Sequence, residues 1–176
     1  MRWLLNEIEM AIEHKLLFIA LQTALAIPDI CGAIESEDGI SRKTQYFAWY
    51  DEYAKPKLNC WMSARDCYYF RCSMLHQGST IPSPPPGTKE ENKPSYSRIV
   101  FVCPYGGNIK MHNCALDDML AVDVSIFCRG LVEAAQQWIE KMENEKNANY
   151  IKNTNRIIRY YPQGIGPYFN NVGMIG

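Results

Sequence analysis

Apolar residues recur at helical spacing in three segments of the chain. In the first segment they fall on one face of a helix that runs to about Ala26 and is closed by Pro28. Aromatic residues repeat in the same way between Lys43 and Tyr53, and Pro56 ends that helix. The longest repeat has spacings of three and four throughout, at Leu116, Leu120, Val124, Phe127, Leu131, Ala135, Trp138 and Met142. The pattern therefore predicts a mainly helical protein.

A further helix is predicted from signals at its two ends. Ser63, followed three residues later by Asp66, resembles a capping box and opens a helix from Ala64 to about Gln77. Gly78 is a natural end for this helix, because glycine readily adopts the left-handed conformation that follows a last turn. Upstream, the apolar segment from residue 27 to residue 36 is predicted as a short helix packed under the first one.

Two non-helical segments follow. Residues 77–95 hold five prolines beside glycine, serine and lysine, which predicts an exposed loop. Residues 98–103 and 109–113 are strand-like and flank a glycine pair at Gly106 and Gly107. Because glycine supplies the positive φ angles of tight turns, the sequence predicts a β-hairpin over residues 97–113.

These elements add up to a helical bundle of four to five helices, with the small β-hairpin inserted before the last long helix. The chain has 176 residues, a length typical of one domain with a sizeable core. We therefore expect a single domain over residues 1–150. The segment 151–176, rich in Asn, Tyr and Gly, is predicted as a C-terminal tail.

The charge balance narrows the choice of partners. The formal net charge is −1 and the sequence pI is about 6.3, so no global positive field attracts nucleic acid. Any contact with RNA must come from a local patch, for which the basic segment from Lys146 to Arg159 is one candidate, although a solvated helix end has the same composition.

Cysteine usage and the apolar runs bear on localisation. The seven cysteines form an odd set, which favours reduced thiols and the cytoplasm over a secreted, disulfide-bonded protein. The longest apolar stretch, Leu16 to Ile27, is shorter than the roughly 20 residues of a membrane span. Acidic residues precede it where a signal peptide would be basic. We expect a cytoplasmic protein with no membrane association.

The sharpest chemical signal is Arg71 followed by His76 near the end of one predicted helix, just before the proline-rich loop. Cleavage of RNA without a metal needs a group that transfers protons near neutral pH and a cation that stabilises the developing phosphorane charge. Imidazole and guanidinium supply these two chemistries. Five residues rotate the helix by roughly 500°, so the two side chains lie about 140° apart and do not converge automatically.

The Arg-x4-His spacing of Arg71 and His76, together with the strings from Ala26 to Ile34 and from Tyr68 to Gly78, resembles HEPN proteins. These are helical bundles whose hallmark is an arginine, four to six residues, and then a histidine. The resemblance covers less than a fifth of the chain. It implies a homodimer with paired motifs at its interface and, in active members, a metal-independent endoribonuclease that leaves a 2′,3′-cyclic phosphate. Many such enzymes are toxins or antiviral effectors, which implies an antitoxin or regulatory protein as a further partner.

One position departs from the family pattern. The residue after the motif arginine is often strongly polar, whereas here it is Cys72. Ser73 is a candidate for the missing hydrogen bond, and Asp66 is a candidate for orienting the guanidinium. Tyr69 and Arg65 are candidate substrate-binding residues, by stacking on bases and by binding phosphate. We expect no cofactor.

Three interpretations remain open at this stage. The leading one is an endoribonuclease acting on single-stranded RNA through Arg71 and His76. The second is a non-catalytic helical dimer that binds a protein or RNA partner, with the motif retained only for packing. The third is a zinc-stabilised module that uses Cys72 and His76, four residues apart, with Cys60 and Cys67 upstream. The cysteine spacings match no common zinc motif, so no metal is expected.

Overall fold

The N-terminal part of the protein forms three short helices, where the sequence predicted one helix to about Ala26 and a short helix after it. The computed structural model describes residues 1–103, 111–167 and 169–176. The first helices are α1 (Arg2–Glu13), α2 (Leu17–Leu25) and α3 (Ile27–Glu35). Lys15 takes a left-handed conformation, with φ of 63°, and breaks the predicted single helix between α1 and α2. Because the break rotates α2, Leu16 and Ile19 become exposed instead of sharing the buried face of Leu5 and Ile8.

The aromatic helix is longer than predicted. It begins as α4 (Lys43–Trp49), continues through a π-helical turn (Tyr50–Ala54) and ends with α5 (Lys55–Leu58). Pro56 does not end it, because this proline occupies the first turn of α5, where a missing N–H costs little. The helix instead ends at Asn59, whose backbone adopts the left-handed conformation. Four of its five aromatic side chains are buried, as the spacing predicted, and the fifth, Phe47, is partly buried.

Helix α6 (Ala64–Gln77) has the predicted bounds and caps. The Ser63 Oγ accepts from the backbone N–H of Asp66, and the Asp66 carboxylate accepts from the backbone N–H of Ser63. At the other end Gly78 adopts φ of 64°. Both end signals of this helix are therefore confirmed.

A small mixed sheet comes before the last long helix. Strand β1 (Arg98–Val102) pairs in parallel with β3 (Met119–Asp123), and β2 (Cys114–Leu116) pairs with β3 in antiparallel fashion. The hairpin is thus formed by β2 and β3. The predicted hairpin over 97–113 is wrong at residues 111–113, which lie in no strand, while its turn lies outside the described residues.

Helix α7 (Val124–Asn144) begins eight residues later than the apolar repeat suggested. Leu116 and Leu120 belong to β2 and β3, on either side of the turn at Asp117 and Asp118, and of the two only Leu120 is buried. The Asp123 carboxylate accepts from the backbone N–H groups of Ser125 and Ile126 at 2.8 and 3.0 Å and so fixes the first turn. The rest of the repeat is confirmed, since Phe127, Leu131, Ala135, Trp138 and Met142 are buried.

The chain ends with α8 (Ala148–Asn153), a 3₁₀ turn (Thr154–Arg156) and a short antiparallel pair, β4 (Tyr160–Tyr161) and β5 (Met174–Ile175). Residue 150, the expected end of the domain, lies inside α8. This helix packs against α3. Regular secondary structure therefore extends into the segment 151–176 that was predicted as a tail.

The core forms around α7, which contacts α1, α2, α3 and α5. In the described residues one stretch, Leu17–Glu35, is long and apolar enough to cross a membrane by length and composition. It exceeds the apolar stretch identified in the sequence because α3 continues it almost without a break. More than half of it, 56%, is buried inside the fold, as in core helices of soluble proteins. The architecture is mainly helical with a small mixed sheet.

Candidate functional site

Arg71 lies on α6 and faces α3. Its guanidinium forms an ion pair with the carboxylate of Asp29, and the two side chains are only 18% and 20% exposed. The Arg71 Cζ lies 5.7 Å from the ring centroid of Tyr68, and its Nη1 lies 3.5 Å from the Cys72 Sγ. The guanidinium is therefore held on three sides by one carboxylate, one aromatic ring and one thiol.

The position of Asp29 follows from the local sequence. It stands in the first turn of α3, where the helix dipole favours a negative charge. Its other carboxylate oxygen accepts from the Ser41 hydroxyl at 3.4 Å. Asp29 is thus fixed from two directions, and it in turn fixes Arg71.

One donor of Arg71 stays unused. The Nε is buried and has no hydrogen-bond partner among the described residues. A buried N–H without an acceptor costs roughly 1–3 kcal/mol. The Asp29 carboxylate also neutralises much of the positive charge of the guanidinium.

His76 lies in the last turn of α6 and is exposed. Within the described part of the chain its imidazole has no hydrogen-bond partner. Tyr68, Cys72 and His76 follow each other at four-residue intervals and so share one face of the helix. The guanidinium of Arg71 contacts Tyr68 and Cys72 but pairs with Asp29 of α3, and in the described part of the chain it forms no hydrogen bond with the His76 imidazole.

Asp66 does not orient the guanidinium, which corrects the prediction. Its side chain is fully buried, and its carboxylate accepts from the backbone N–H groups of Ser63 and Ser95 at 3.0 and 2.5 Å. Ser73 is also buried, and its hydroxyl accepts from the backbone N–H of Ser83 at 2.9 Å. Both residues therefore fasten the proline-rich segment to α6 and take no part in holding Arg71.

The two predicted substrate-binding residues have structural contacts as well. The Arg65 guanidinium donates to the backbone carbonyl of Glu91 at 2.6 Å, a third attachment of the proline-rich segment. Tyr69 is only 3% exposed, and its hydroxyl accepts from the Lys43 ammonium at 2.8 Å. Such burial is incompatible with stacking on a base, so the prediction for Tyr69 is wrong.

The cysteines offer no metal-binding constellation. Across residues 1–103, 111–167 and 169–176 no group of three or more His, Cys, Asp or Glu side chains is arranged to hold a metal ion. Burial raises the pKa of the Cys67 thiol to about 12, which disfavours the thiolate that a metal would need. All seven cysteines are free thiols.

Sequence reasoning missed Asp29, the residue that holds Arg71. A signal for it exists: it is the single charged residue between Ala26 and Ile34, an otherwise apolar segment. An acidic residue at such a position becomes buried unless the segment is exposed, and a buried carboxylate requires a cationic partner. That signal predicts a partner but does not say which arginine or lysine it is.

Comparison of the chain with protein-family models, with curated proteins and with solved structures finds no match.

Proposed function

We propose that this protein is a metal-independent endoribonuclease of the HEPN type that cleaves single-stranded RNA through Arg71 and His76. The observation that carries the proposal is an exposed, unpartnered imidazole on the same helix as a guanidinium that a carboxylate holds in place. Each group has the chemistry that the reaction requires.

In the proposed reaction His76 removes the proton from a 2′-hydroxyl, whose oxygen then attacks the adjacent phosphorus. The 5′-oxygen of the following nucleotide leaves and takes up a proton, which gives a 2′,3′-cyclic phosphate and a free 5′-hydroxyl. Arg71 stabilises the charge that develops on the non-bridging phosphate oxygens. A single-stranded substrate fits this step because its backbone can adopt the in-line geometry.

The ion pair with Asp29 has a role in this proposal. A guanidinium that is already fixed needs no reorganisation when charge develops, which is the main advantage of a preorganised site. Because the guanidinium of Arg71 is tied to Asp29 and forms no hydrogen bond with His76 in the described part of one chain, we propose that the active form is a homodimer in which α6 of one protomer faces α6 of the other.

The biological setting belongs to the same proposal. Seven free thiols, three of them fully buried, suit a reducing cytoplasm. An endoribonuclease without a specific trigger would harm its own cell, so a toxin or antiviral effector controlled by an antitoxin or another regulatory protein fits this chemistry.

The test is cleavage of a fluorescent single-stranded RNA in EDTA, with detection of the cyclic phosphate end. We expect His76→Ala and Arg71→Lys each to lower the rate at least about a hundredfold. Lysine keeps the charge opposite Asp29 but lacks the guanidinium fork. His14→Ala, which removes another exposed imidazole, is the matched control and should cleave like the wild type. Wild-type rates in either α6 variant would disprove the assignment.

A second function has one observation in its favour. Asp29 neutralises Arg71, and a net charge of −1 gives little attraction for RNA, so a non-catalytic helical dimer that binds a protein or RNA partner is the alternative. In that case purified protein forms no cyclic phosphate at any concentration, although it still dimerises in light-scattering measurements.

A further inference from the structure

The positive charge of this protein is concentrated in its last 31 residues. Residues 146–176 contain Lys146, Lys152, Arg156 and Arg159 and no acidic residue, so their formal charge is +4. Residues 1–145 hold the other 14 of the 18 basic residues and all 19 acidic residues, so their formal charge is −5. The net charge of −1 is thus the sum of two unlike parts, and the C-terminal part attracts anions.

Two of these cations lie close together. The Lys152 ammonium donates to the backbone carbonyl of Glu37 at 3.1 Å, and the Arg156 Nη1 donates to the backbone carbonyl of Asp38 at 2.7 Å. Because the two carbonyls belong to consecutive residues, the two charges lie within roughly 10 Å of each other. Neighbouring phosphates of a nucleic-acid strand can match such a spacing.

The charges of this segment are not compensated by carboxylates. Arg159 also donates to a neutral acceptor, since its Nη2 bonds to the backbone carbonyl of Thr154 at 2.8 Å. Among the described residues, no carboxylate forms an ion pair with Lys152, Arg156 or Arg159. A guanidinium has five N–H donors, so both arginines keep donors that a phosphate can accept.

An exposed aromatic ring follows the arginines directly. Tyr160 is the first residue of β4 and is 54% exposed. Its cross-strand partner in β5 is Ile175, which is 65% exposed, so both side chains lie on one open face of the ribbon. Bases of a single strand stack on exposed aromatic rings, and a ring beside uncompensated cations is typical of surfaces that bind single-stranded nucleic acid.

The turn after α3 connects this surface to the proposed catalytic residues. Asp38 in this turn holds Arg156, and Ser41, three residues later, donates to the Asp29 carboxylate that pairs with Arg71. Three residues span at most about 11 Å. A strand of a few nucleotides is therefore long enough to reach from Arg156 to Arg71.

We propose that Lys152, Arg156, Arg159 and Tyr160 form an RNA-docking surface that holds the single-stranded substrate of the nuclease. The three cations bind phosphates and Tyr160 stacks on one base. This inference rests on the proposed function for its biological role, although the affinity for RNA is measurable without any cleavage. The surface supplies the local attraction that the net charge of the whole chain does not provide.

The first test is fluorescence anisotropy with a labelled 2′-O-methyl oligonucleotide, which has no free 2′-hydroxyl and cannot be cleaved by the proposed reaction. The slope of log K against log salt should be about −2 for the wild type, because each phosphate contact of a single strand contributes about 0.7. Arg156→Gln/Arg159→Gln should reduce this slope to about −0.7 and weaken binding at least about tenfold in 50 mM salt. Lys55→Gln/Lys57→Gln, which removes two exposed lysines of α5, is the matched control and should bind like the wild type.

The second test concerns the aromatic ring. Tyr160→Ala should weaken binding at least about fivefold and leave the salt slope unchanged, because stacking releases no counterions. Tyr160→Phe keeps the ring and should bind like the wild type.

The cleavage assay separates this inference from the proposed nuclease activity. If RNA binding depends on the two arginines but the wild type forms no cyclic phosphate, the RNA-docking surface stands and the nuclease assignment fails. If the wild type cleaves RNA, Arg156→Gln/Arg159→Gln should raise KM and leave kcat unchanged, because these residues bind the substrate away from the reacting phosphate.

Three results would overturn the proposal: no RNA binding by the wild type in 50 mM salt, an unchanged affinity and salt slope in Arg156→Gln/Arg159→Gln, or an equal loss in the lysine control. Exposed isoleucines near the cations also suit an anionic membrane, so vesicles of phosphatidylcholine and phosphatidylserine at 7:3 form a separate arm. Sedimentation with these vesicles in the absence of RNA binding would replace RNA by a lipid surface. If circular dichroism shows that the double arginine variant does not fold, the comparison of Tyr160→Ala with Tyr160→Phe decides.

Discussion

The ion pair between Asp29 and Arg71 joins α3 to α6, and its contribution to stability can be measured with four proteins. These are the wild type, Asp29→Asn, Arg71→Gln and the double variant. Both substitutions remove the charge; asparagine keeps the shape of aspartate, whereas glutamine is shorter than arginine. The coupling energy of this cycle isolates the charge interaction from the other effects of each substitution.

The magnitude follows from the burial of the pair. Two unit charges about 4 Å apart attract by about 4 kcal/mol at an effective dielectric constant near 20. Desolvation of both groups offsets part of this attraction, and the side chains are 18% and 20% exposed, so we expect a coupling energy of about 2 kcal/mol. Each single variant should be less stable than the double variant, because it leaves one partly buried charge without its partner.

Urea unfolding at pH 7, followed by circular dichroism, provides the free energies. The control is the ion pair between Glu9 and Arg129, which joins α1 to α7 and has side chains 35% and 50% exposed. Its coupling should be about 0.2–1 kcal/mol, because solvent screens exposed pairs. A coupling for Asp29 and Arg71 no larger than that of the control would refute the reasoning and remove the preorganisation argument for Arg71.

Three further predictions concern the buried polar groups. Asp66→Ala should lower the free energy of unfolding by about 3 kcal/mol in urea titrations, because the donors of Ser63 and Ser95 lose their acceptor inside the protein. Trp138→Phe should cost about 2 kcal/mol in the same assay, since it removes the bond from the indole N–H to Glu35 at 3.0 Å and leaves a gap in the core. Burial raises the pKa of Cys67 and of Cys128 from 9.0 to about 12, so these thiols ionise more easily in the unfolded chain. The contribution of this pKa difference to the free energy of unfolding is complete below pH 9 and is lost between pH 9 and 12. Between pH 8 and 10.5 the double variant Cys67→Ala/Cys128→Ala should therefore lose less stability than the wild type. An equal loss in the two proteins would contradict this.

The helices that carry strong local signals could be predicted from the sequence. Both ends of α6 depend on residues adjacent in the chain, Ser63 with Asp66 and Gly78 at the end, so local reasoning sufficed. The break at Lys15 could not be predicted, because lysine has no preference for the left-handed conformation that it adopts there.

The sheet shows the limit of periodicity. A spacing of four is typical of one helix face, but Leu116 and Leu120 have it because they lie in two strands joined by a two-residue turn. The parallel partner of β1 lies some twenty residues downstream, and no local pattern shows such a pairing. The ion pair of Arg71 could not be predicted for the same reason, since its partner Asp29 is 42 positions away in the sequence.

The proline-rich segment is attached to α6 at both ends of that helix. Ser83 bonds to Ser73 near its C-terminal end, whereas Glu91 and Ser95 bond to Arg65 and Asp66 in its first turn. Between these anchors, residues 84–90 are mostly exposed. Because doubling the length of a flexible loop costs only about 0.6 kcal/mol, this stretch should tolerate an inserted epitope or fluorescent tag without moving the helix beneath it.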